Sequence, residues 1–462
     1  MSAHLGTAER PLRVAIVGAG PAGFYAAEAL LKQKDLVCRI DFFNRLPTPY
    51  GLVREGVAPD HQSIKAVTRV YDKLAAGTNV RYFGNVTFGR DLHHADLKAR
   101  YDQIVYAVGA QSDRQMGIAG EDLAGSMPAT VFVGWYNGHP DYCDLAFPLD
   151  CERVIVVGNG NVAMDVTRIL VCDPAELAKS DIADHALAAL RGSKVREVVM
   201  LGRRGPVQAA FTNPELKEFG ELAGVDVLVD PADLDLDAQS EASLAEDKTA
   251  QKNVALLRTY AARGETGAPR RIVMRFLASP VEVLGAEGKM TAVKVERNQL
   301  VAAADGTMRP KGTGVYDTIE AGMILRSVGY KGVPIPDVPY DSAKGTIPNV
   351  AGRVTSPESN AVVAGEYVVG WAKRGPSGVI GTNKPDAAAT VAMMLADLPH
   401  LPAASNAEDV ATLLAERGAD AVSYADWKIL DAHEAALGAA QGRPRVKVTR
   451  VDEMMAIIRQ GR

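Results

Sequence analysis

The chain has 462 residues, 47% of them hydrophobic and 23% charged, with a formal net charge of -5; this is the make-up of an ordinary globular protein with room for about two to four domains. The charge balance excludes nucleic-acid binding through overall charge, and no apolar run approaches the roughly 18–20 residues of a membrane span. The opening residues lack the apolar centre of a secretory signal, so a cytoplasmic location is expected.

Residues 13–17 (RVAIV) are a β-branched run that ends in glycine, the pattern of a buried parallel strand. Residues 21–34 predict a helix and residues 37–43 the next strand, so the chain begins with a βαβ unit. Between strand and helix stands Gly18-Ala19-Gly20-Pro21-Ala22-Gly23, a G-x-G-x-x-G run. Gly18 suits a tight turn, Gly20 lets a pyrophosphate approach the backbone, and Gly23 lets helix and strand pack closely. The helix start at Pro21 and Ala22 offers unpaired N–H groups to phosphate. In this context the run predicts a dinucleotide site. An acid normally ends the second strand and binds a ribose hydroxyl. Asn44 holds that position and is the expected ribose ligand, accepting without charge, while Asp41 reads as a surface residue.

The segment at 101–109 (YDQIVYAVG) is a strand closed by a small-residue turn, and 324–329 (ILRSVG) repeats it late in the chain. The two predict the crossings between two domains. Residues 153–157 (RVIVV), 161–171 and 195–201 give a second strand, helix and strand, with Gly158-Asn159-Gly160-Asn161-Val162-Ala163 at the first turn. A spacing of about 140 residues is too long for a solenoid repeat. The predicted fold is therefore α/β, with two Rossmann-like dinucleotide-binding domains. The second unit's next strand ends in Leu201-Gly202-Arg203-Arg204-Gly205. A basic residue there accommodates an adenosine 2′-phosphate, so Arg203 and Arg204 predict NADP(H) rather than NAD(H).

Residues 230–253 are acidic and predict a surface loop and a helix. Arg258, Arg263, Arg270 and Arg271 then fall close together; they predict a docking face for an acidic partner, with a solvated loop and helix end as the alternative. Residues 272–330 alternate strands and turns, 330–356 are irregular, and the last 60 residues are helical. Within 365–383 the pattern is a strand, a glycine-rich loop and a helix led by Thr382 and Asn383 as caps, with Trp371 suited to cover a flat ring. Cys38, Cys143, Cys151 and Cys172 form no C-x-x-C pair and no ligand spacing. No metal site, iron–sulfur cluster or redox disulfide is expected from them.

The stretches LPTPYGLVR (46–54), GVAPDH (56–61), YAVGA (106–110), VGNGNVA (157–163), GRRG (202–205) and the segment 371–383 occur in one order along nearly the whole chain. In them the chain resembles the adrenodoxin-reductase-type ferredoxin–NADP reductases, the actinobacterial members above all. The resemblance implies a discontinuous FAD-binding domain (residues 1–112 and 326–462) with an NADP-binding domain (113–325) inserted. It implies hydride transfer from NADPH to FAD and single electrons onward to a separate ferredoxin, an iron–sulfur protein; by resemblance alone, that ferredoxin feeds a cytochrome P450. It places His61 and Asp165 beside the flavin ring as the catalytic pair. Leu52, Trp371, Val379 and Ile380 join the first glycine run at the FAD. Arg114, Asn159, Gly160, Asn161, Val162, Arg203, Arg204, Glu215 and Gly378 fall at NADP-contacting positions. Family members usually carry an acid where Asn44 stands. His61 could donate a proton, tune the potential or orient its neighbours. The alternative function is an NADPH-dependent flavin monooxygenase or small-molecule reductase on the same pair of folds.

Overall fold

A computed structural model describes residues 4–304, 306–401, 404–406 and 408–462. The β-branched runs become buried strands. β1 (Leu12–Val17) leads through the helix Pro21–Leu31 into β2 (Cys38–Phe43), and β3 (Val80–Phe83) and β4 (Gln103–Tyr106) follow. A two-residue strand, β5 (Ser112–Asp113), starts the passage to a second run: β6 (Ser126–Pro128), β7 (Arg153–Val157), β8 (Glu197–Leu201), β9 (Val225–Val229) and β10 (Arg270–Arg275). Three long strands come next, β11 (Ala278–Ala286), β12 (Lys289–Ala302) and β13 (Met308–Glu320), before β14 (Met323–Arg326) rejoins the second run. β15 (Tyr330–Lys331), β16 (Asn349–Val350), β17 (Arg353–Thr355) and β18 (Val362–Val368) bring the chain back to the first.

Two main sheets result. The first has the order β16-β17-β18-β4-β1-β2-β3 and the second β6-β14-β7-β8-β10-β9. The second is parallel throughout, and the first is parallel except at its β16–β18 edge. β11–β13 form a separate antiparallel meander. This is the predicted α/β architecture with two Rossmann-like sheets. In each sheet the strand before the glycine turn has the next strand on one side and a much later strand on the other: β4-β1-β2 and β14-β7-β8. The strand order reverses there, which opens a crevice at the carboxyl ends. The two crossing segments run side by side, with β5 and β15 paired antiparallel.

Element ends differ from expectation in physically simple ways. The acidic stretch contains two helices, Ala238–Glu246 and Lys248–Arg263. Its aspartates act as caps: Asp237 accepts from the Gln239 and Ser240 N–H groups, and Asp247 from those of Thr249 and Ala250. Asp41, expected at the surface, is buried. It lies in register with Arg81 on β3, whose guanidinium donates to both carboxylate oxygens at 2.8 and 2.7 Å, and the Tyr101 hydroxyl donates to it at 2.6 Å. Among the described residues no helix is long and apolar enough to cross a membrane.

Charged groups in the interior join the two sheets. Arg54, the last residue of the PYGLVR run, donates to both oxygens of Glu434 at 2.8 and 2.6 Å and lies over the Trp427 ring. Residues 442–448 then pass between the two units. Arg443 donates to the Ser180 carbonyl at 2.9 Å, to the Ile182 carbonyl and to Asp184 at 2.7 Å. The buried Lys447 ammonium donates to the Arg54 and Asn137 carbonyls, both at 3.0 Å, and Lys65 donates to Asp181 at 2.6 Å. Burial works against the Asp181 charge, but Lys447 and Lys65 hold its pKa below the usual carboxylate range. A carboxylate with a depressed folded pKa stabilises above its unfolded pKa, about 3.9, and loses that contribution as pH falls through the folded value. The stability gap between the parent and Asp181→Asn, read as urea midpoints, should therefore be wide at neutral pH and narrow in acid.

Candidate functional site

Both glycine turns are pressed against the exit of the strand beside them. Gly18 has φ of +105°, and a Cβ there would overlap the Ala107 carbonyl just beyond β4. Gly158 has φ of +136°, and a Cβ there would overlap the Ser327 carbonyl just beyond β14. Only glycine meets both demands. Gly23 packs its α-carbon against the Gly18 carbonyl and Ile16, as close helix–strand packing requires. Gly20 and Gly160 are different. Their φ values of -91° and -107° suit any residue, and a Cβ on either would meet nothing within 4 Å. The space in front of each is a cradle into which a pyrophosphate fits against bare backbone.

These differences within one motif give a prediction. Gly18→Ala should fail as a folding defect. Gly20→Ala should fold and lose FAD affinity by about tenfold or more, whereas Gly160→Ala should keep FAD and lose NADPH affinity to a similar degree. Flavin content, thermal unfolding and NADPH titration separate the three outcomes.

Around the first cradle the loop at 48–51 folds over the turn. The Tyr50 N–H donates to the Ala19 carbonyl at 2.8 Å, and Tyr50 and Gly51 both have positive φ. Leu52 follows and is 38% exposed. From the far end of the chain, Gly370 rests on Ala22, and its N–H donates to Asp386 at 2.7 Å. Trp371 is half-buried rather than part of the core; its indole N–H donates to the Ser377 carbonyl at 3.1 Å, and Tyr330 stands beside it. Gly378 has φ of +78°, Val379 is 60% exposed, and Ile380 packs toward the same core as Ala22. Thr382 and Asn383 do not cap the helix Asn383–Asp397. The Thr382 hydroxyl instead accepts from the Val379 N–H and the Asn383 amide donates to the Ile380 carbonyl, so both shape the loop. Asn44 is also committed to a loop. Its Oδ1 accepts from the Ala19 N–H at 3.3 Å, and its amide donates to the Leu46 and Thr48 carbonyls at 3.0 Å each. A carboxylate could not make those two donations, which is a physical reason for the amide.

Around the second cradle, the Asn159 side chain lies over Gly202, where any Cβ would collide with it. Asn161 accepts from the Thr212 N–H at 2.9 Å and donates to Glu215 at 3.0 Å, and the Thr212 hydroxyl closes the ring by donating to Glu215. Val162 packs on the core of this unit. Arg203 and Arg204 project into solvent at the end of β8, and neither has an acidic partner among the described residues. Partial burial and the neighbouring Arg203 both depress the Arg204 pKa. Arg114 stands apart from this pair. It is exposed and lines a cavity of about 470 Å³ with Lys344, Lys373 and Arg374, beside the Trp371 loop.

His61 joins the two units. Its Nε2 lies 3.0 Å from Glu218 Oε2 and 3.0 Å from Arg168 Nη2, and its Nδ1 is 3.7 Å from Asp165. Arg168 donates to Asp165 at 2.8 Å and also to Asp60. His61 and Asp165 are thus brought together. Sequence reasoning missed Glu218 and Arg168; each stands one helical turn after a predicted site residue, Glu215 and Asp165, and that spacing was the available signal.

The four arginines expected to form a docking face do not act as one free cluster. Arg270 donates to the Val171 and Cys172 carbonyls, and Arg271 pairs with Glu197 and Glu265. Both sit where β10 starts, at the end of the sheet opposite the glycine turn. Arg263 lies over the Tyr260 ring. Arg258 alone of the four remains on an exposed helix face without a side-chain partner among the described residues.

Comparison with known proteins agrees with this geometry. Residues 12–241 match the family model of the pyridine nucleotide-disulphide oxidoreductases. The chain is 47% identical over 460 residues to the NADPH-ferredoxin reductase FprA of Mycobacterium tuberculosis, covering 97% of this chain and 99% of that one. It is 37% identical to a mitochondrial NADPH:adrenodoxin oxidoreductase of Arabidopsis thaliana, over 97% of this chain and 95% of the relative. The structure of Mycobacterium tuberculosis FprA in complex with NADPH superposes with a TM-score of 0.92 at 46% identity, covering 97% of this chain and all of that one. The chain therefore belongs to the NADPH-ferredoxin reductases, within the pyridine nucleotide-disulphide oxidoreductase fold.

Proposed function

We propose that the protein is an NADPH-dependent ferredoxin reductase in which residues 1–112 and 326–462 hold FAD and residues 113–325 hold NADP(H). When bound, the two cofactors supply a hydride donor and a carrier that releases electrons singly to a ferredoxin. One observation supports the reading: His61, which follows the loop over the first cradle and the short helix Leu52–Glu55, sits among Asp165, Arg168 and Glu218 of the second unit, so the first unit reaches the helix that opens at the second cradle.

The roles follow from the chemistry of each group. The Gly20 and Gly160 cradles and the helix N-termini behind them receive the pyrophosphates. Leu52, Trp371, Val379 and Ile380 wall the flavin ring, Gly378 borders the NADP(H), and Asn44 holds the loop at the ribose end of the FAD. Arg203 and Arg204 take the 2′-phosphate. The Asn161–Glu215 pair shapes the dinucleotide path behind Asn159 and Val162. His61 and Asp165 border the reacting rings, where they hold or exchange a proton and exclude water. An onward cytochrome P450 belongs to the same reading by resemblance, and a cytoplasmic location follows from the absence of a secretory-signal pattern in the opening residues.

Steady-state reduction of purified ferredoxins by NADPH tests it. Electron transfer should reach an acidic ferredoxin and weaken steeply as salt is raised, because docking of opposite charges is screened. Absence of ferredoxin reduction, with oxygen consumption coupled to an organic substrate, would favour a monooxygenase instead.

A further inference from the structure

Arg168 has no assigned part in the site, yet its buried guanidinium contacts every other charged group around His61 except Glu215. Its side chain is 5% exposed. It donates to Asp60 on the loop that carries His61, and to Asp165 on its own helix at 2.8 Å; its Nε lies 3.4 Å from Glu218 on the helix Asn213–Glu221. Its Nη2 is also 3.0 Å from His61 Nε2.

That last contact conflicts with another. Glu218 Oε2 is 3.0 Å from the same Nε2. A guanidinium only donates and a carboxylate only accepts, while an imidazole nitrogen does one or the other. With a proton on Nε2, His61 donates to Glu218 and Arg168 is a repelling neighbour. Without it, Nε2 accepts from Arg168 and turns a lone pair toward Glu218. The two neighbours therefore compete for opposite protonation states of one atom.

The charges facing His61 make the competition consequential. Asp60 comes from its own loop, Asp165 and Arg168 from the helix Asn161–Val171, and Glu215 and Glu218 from the helix Asn213–Glu221. The Tyr136 hydroxyl, buried and without a hydrogen-bond partner among the described residues, lies near Asp165 and Arg168. Among the described residues four carboxyl groups surround one imidazole, and Arg168 is the single guanidinium among them. We propose that Arg168 is a positioning residue that sets whether His61 carries a proton at Nε2, by engaging the surrounding carboxylates and by competing with Glu218 for that nitrogen. The electrostatic directions agree. Burial and Arg168 lower the His61 pKa, Glu218 and Asp165 raise it, and the balance lies above the ordinary histidine value.

Histidine-labelled holoenzyme tests this by NMR titration, with the His61 signal identified by its loss in His61→Gln. In Arg168→Gln the His61 pKa should rise by about one unit or more. The pH profile of flavin reduction by NADPH should move in the same direction with flavin content retained. Arg168→Lys keeps a charge but reaches fewer partners, so it should give a smaller upward shift; it carries the test if Arg168→Gln fails to fold. A His61 titration unchanged in the folded variant overturns the inference. The kinetic arm alone rests on His61 bordering the reacting rings. If the titration moves and the kinetic profile does not, that placement fails while the role of Arg168 stands.

Discussion

Glu434→Ala is expected to lower stability by about 3–5 kcal/mol, because removing one partner of a buried ion pair leaves the other charge uncompensated. The Arg54 and Glu434 side chains are 6% and 0% exposed, and the pair is a two-pronged fork at 2.6 and 2.8 Å. Glu434 also accepts from the Val448 N–H at 2.9 Å, so its loss loosens the segment that threads between the two units. Arg54 lies in the short helix Leu52–Glu55 that follows the loop closing over Gly20, which means the damage should reach the flavin. Denaturant unfolding should show the lost stability, and gel filtration should show weakened FAD retention. An exposed pair such as Arg450 with Asp144 supplies the control: Asp144→Ala should change stability by under about 1 kcal/mol. Equal effects at the two sites would mean that the buried fork does not anchor the segment that threads between the units.

Replacing Arg203 and Arg204 together by alanine should raise KM for NADPH about a hundredfold or more and change that for NADH only severalfold. A hydrogen bond to a charged group contributes about 1.5–3 kcal/mol, and two guanidinium forks on one phosphate are worth at least one such step each. NADH lacks the phosphate and loses little. The structure strengthens the expectation, since neither arginine is engaged by an acid among the described residues and partial burial with mutual repulsion depresses the Arg204 pKa. An anion bound there relieves that repulsion. Single substitutions should each cost less than half of the double, because the remaining fork still reaches the phosphate. Equal losses for NADPH and NADH would place the 2′-phosphate elsewhere.

The features legible in the sequence are those the backbone imposes locally. Gly18 and Gly158 had to be glycine for reasons of φ and close approach, and their spacing from a strand announced both folds. The place of Arg203 and Arg204 just past β8 was readable because the strand before them is a β-branched run that ends in glycine. What stayed hidden depends on partners distant in sequence. Asp41 looked like a surface residue because nothing local says that Arg81 lies opposite it on the neighbouring strand. Arg168 and Glu218 resemble the solvated charges of amphipathic helices until the Asp60–His61 loop of the other unit covers them. Arg270 and Arg271 looked like a docking patch, and are instead occupied by carbonyls and acids at the far end of the sheet. Asn44 was read through what a ribose needs, whereas its amide also serves two carbonyls of the neighbouring loop.

Electrons are expected to enter from NADPH, pass through FAD and leave to a ferredoxin. Anaerobic addition of NADPH to the purified yellow holoprotein tests it most directly, followed by addition of oxidised ferredoxin in the same cuvette. The prediction is rapid bleaching of the flavin by NADPH, much slower bleaching by NADH, and return of the yellow colour as ferredoxin is reduced. A flavin that NADPH leaves coloured, or one that is bleached but does not recover its colour with any ferredoxin supplied, would contradict it.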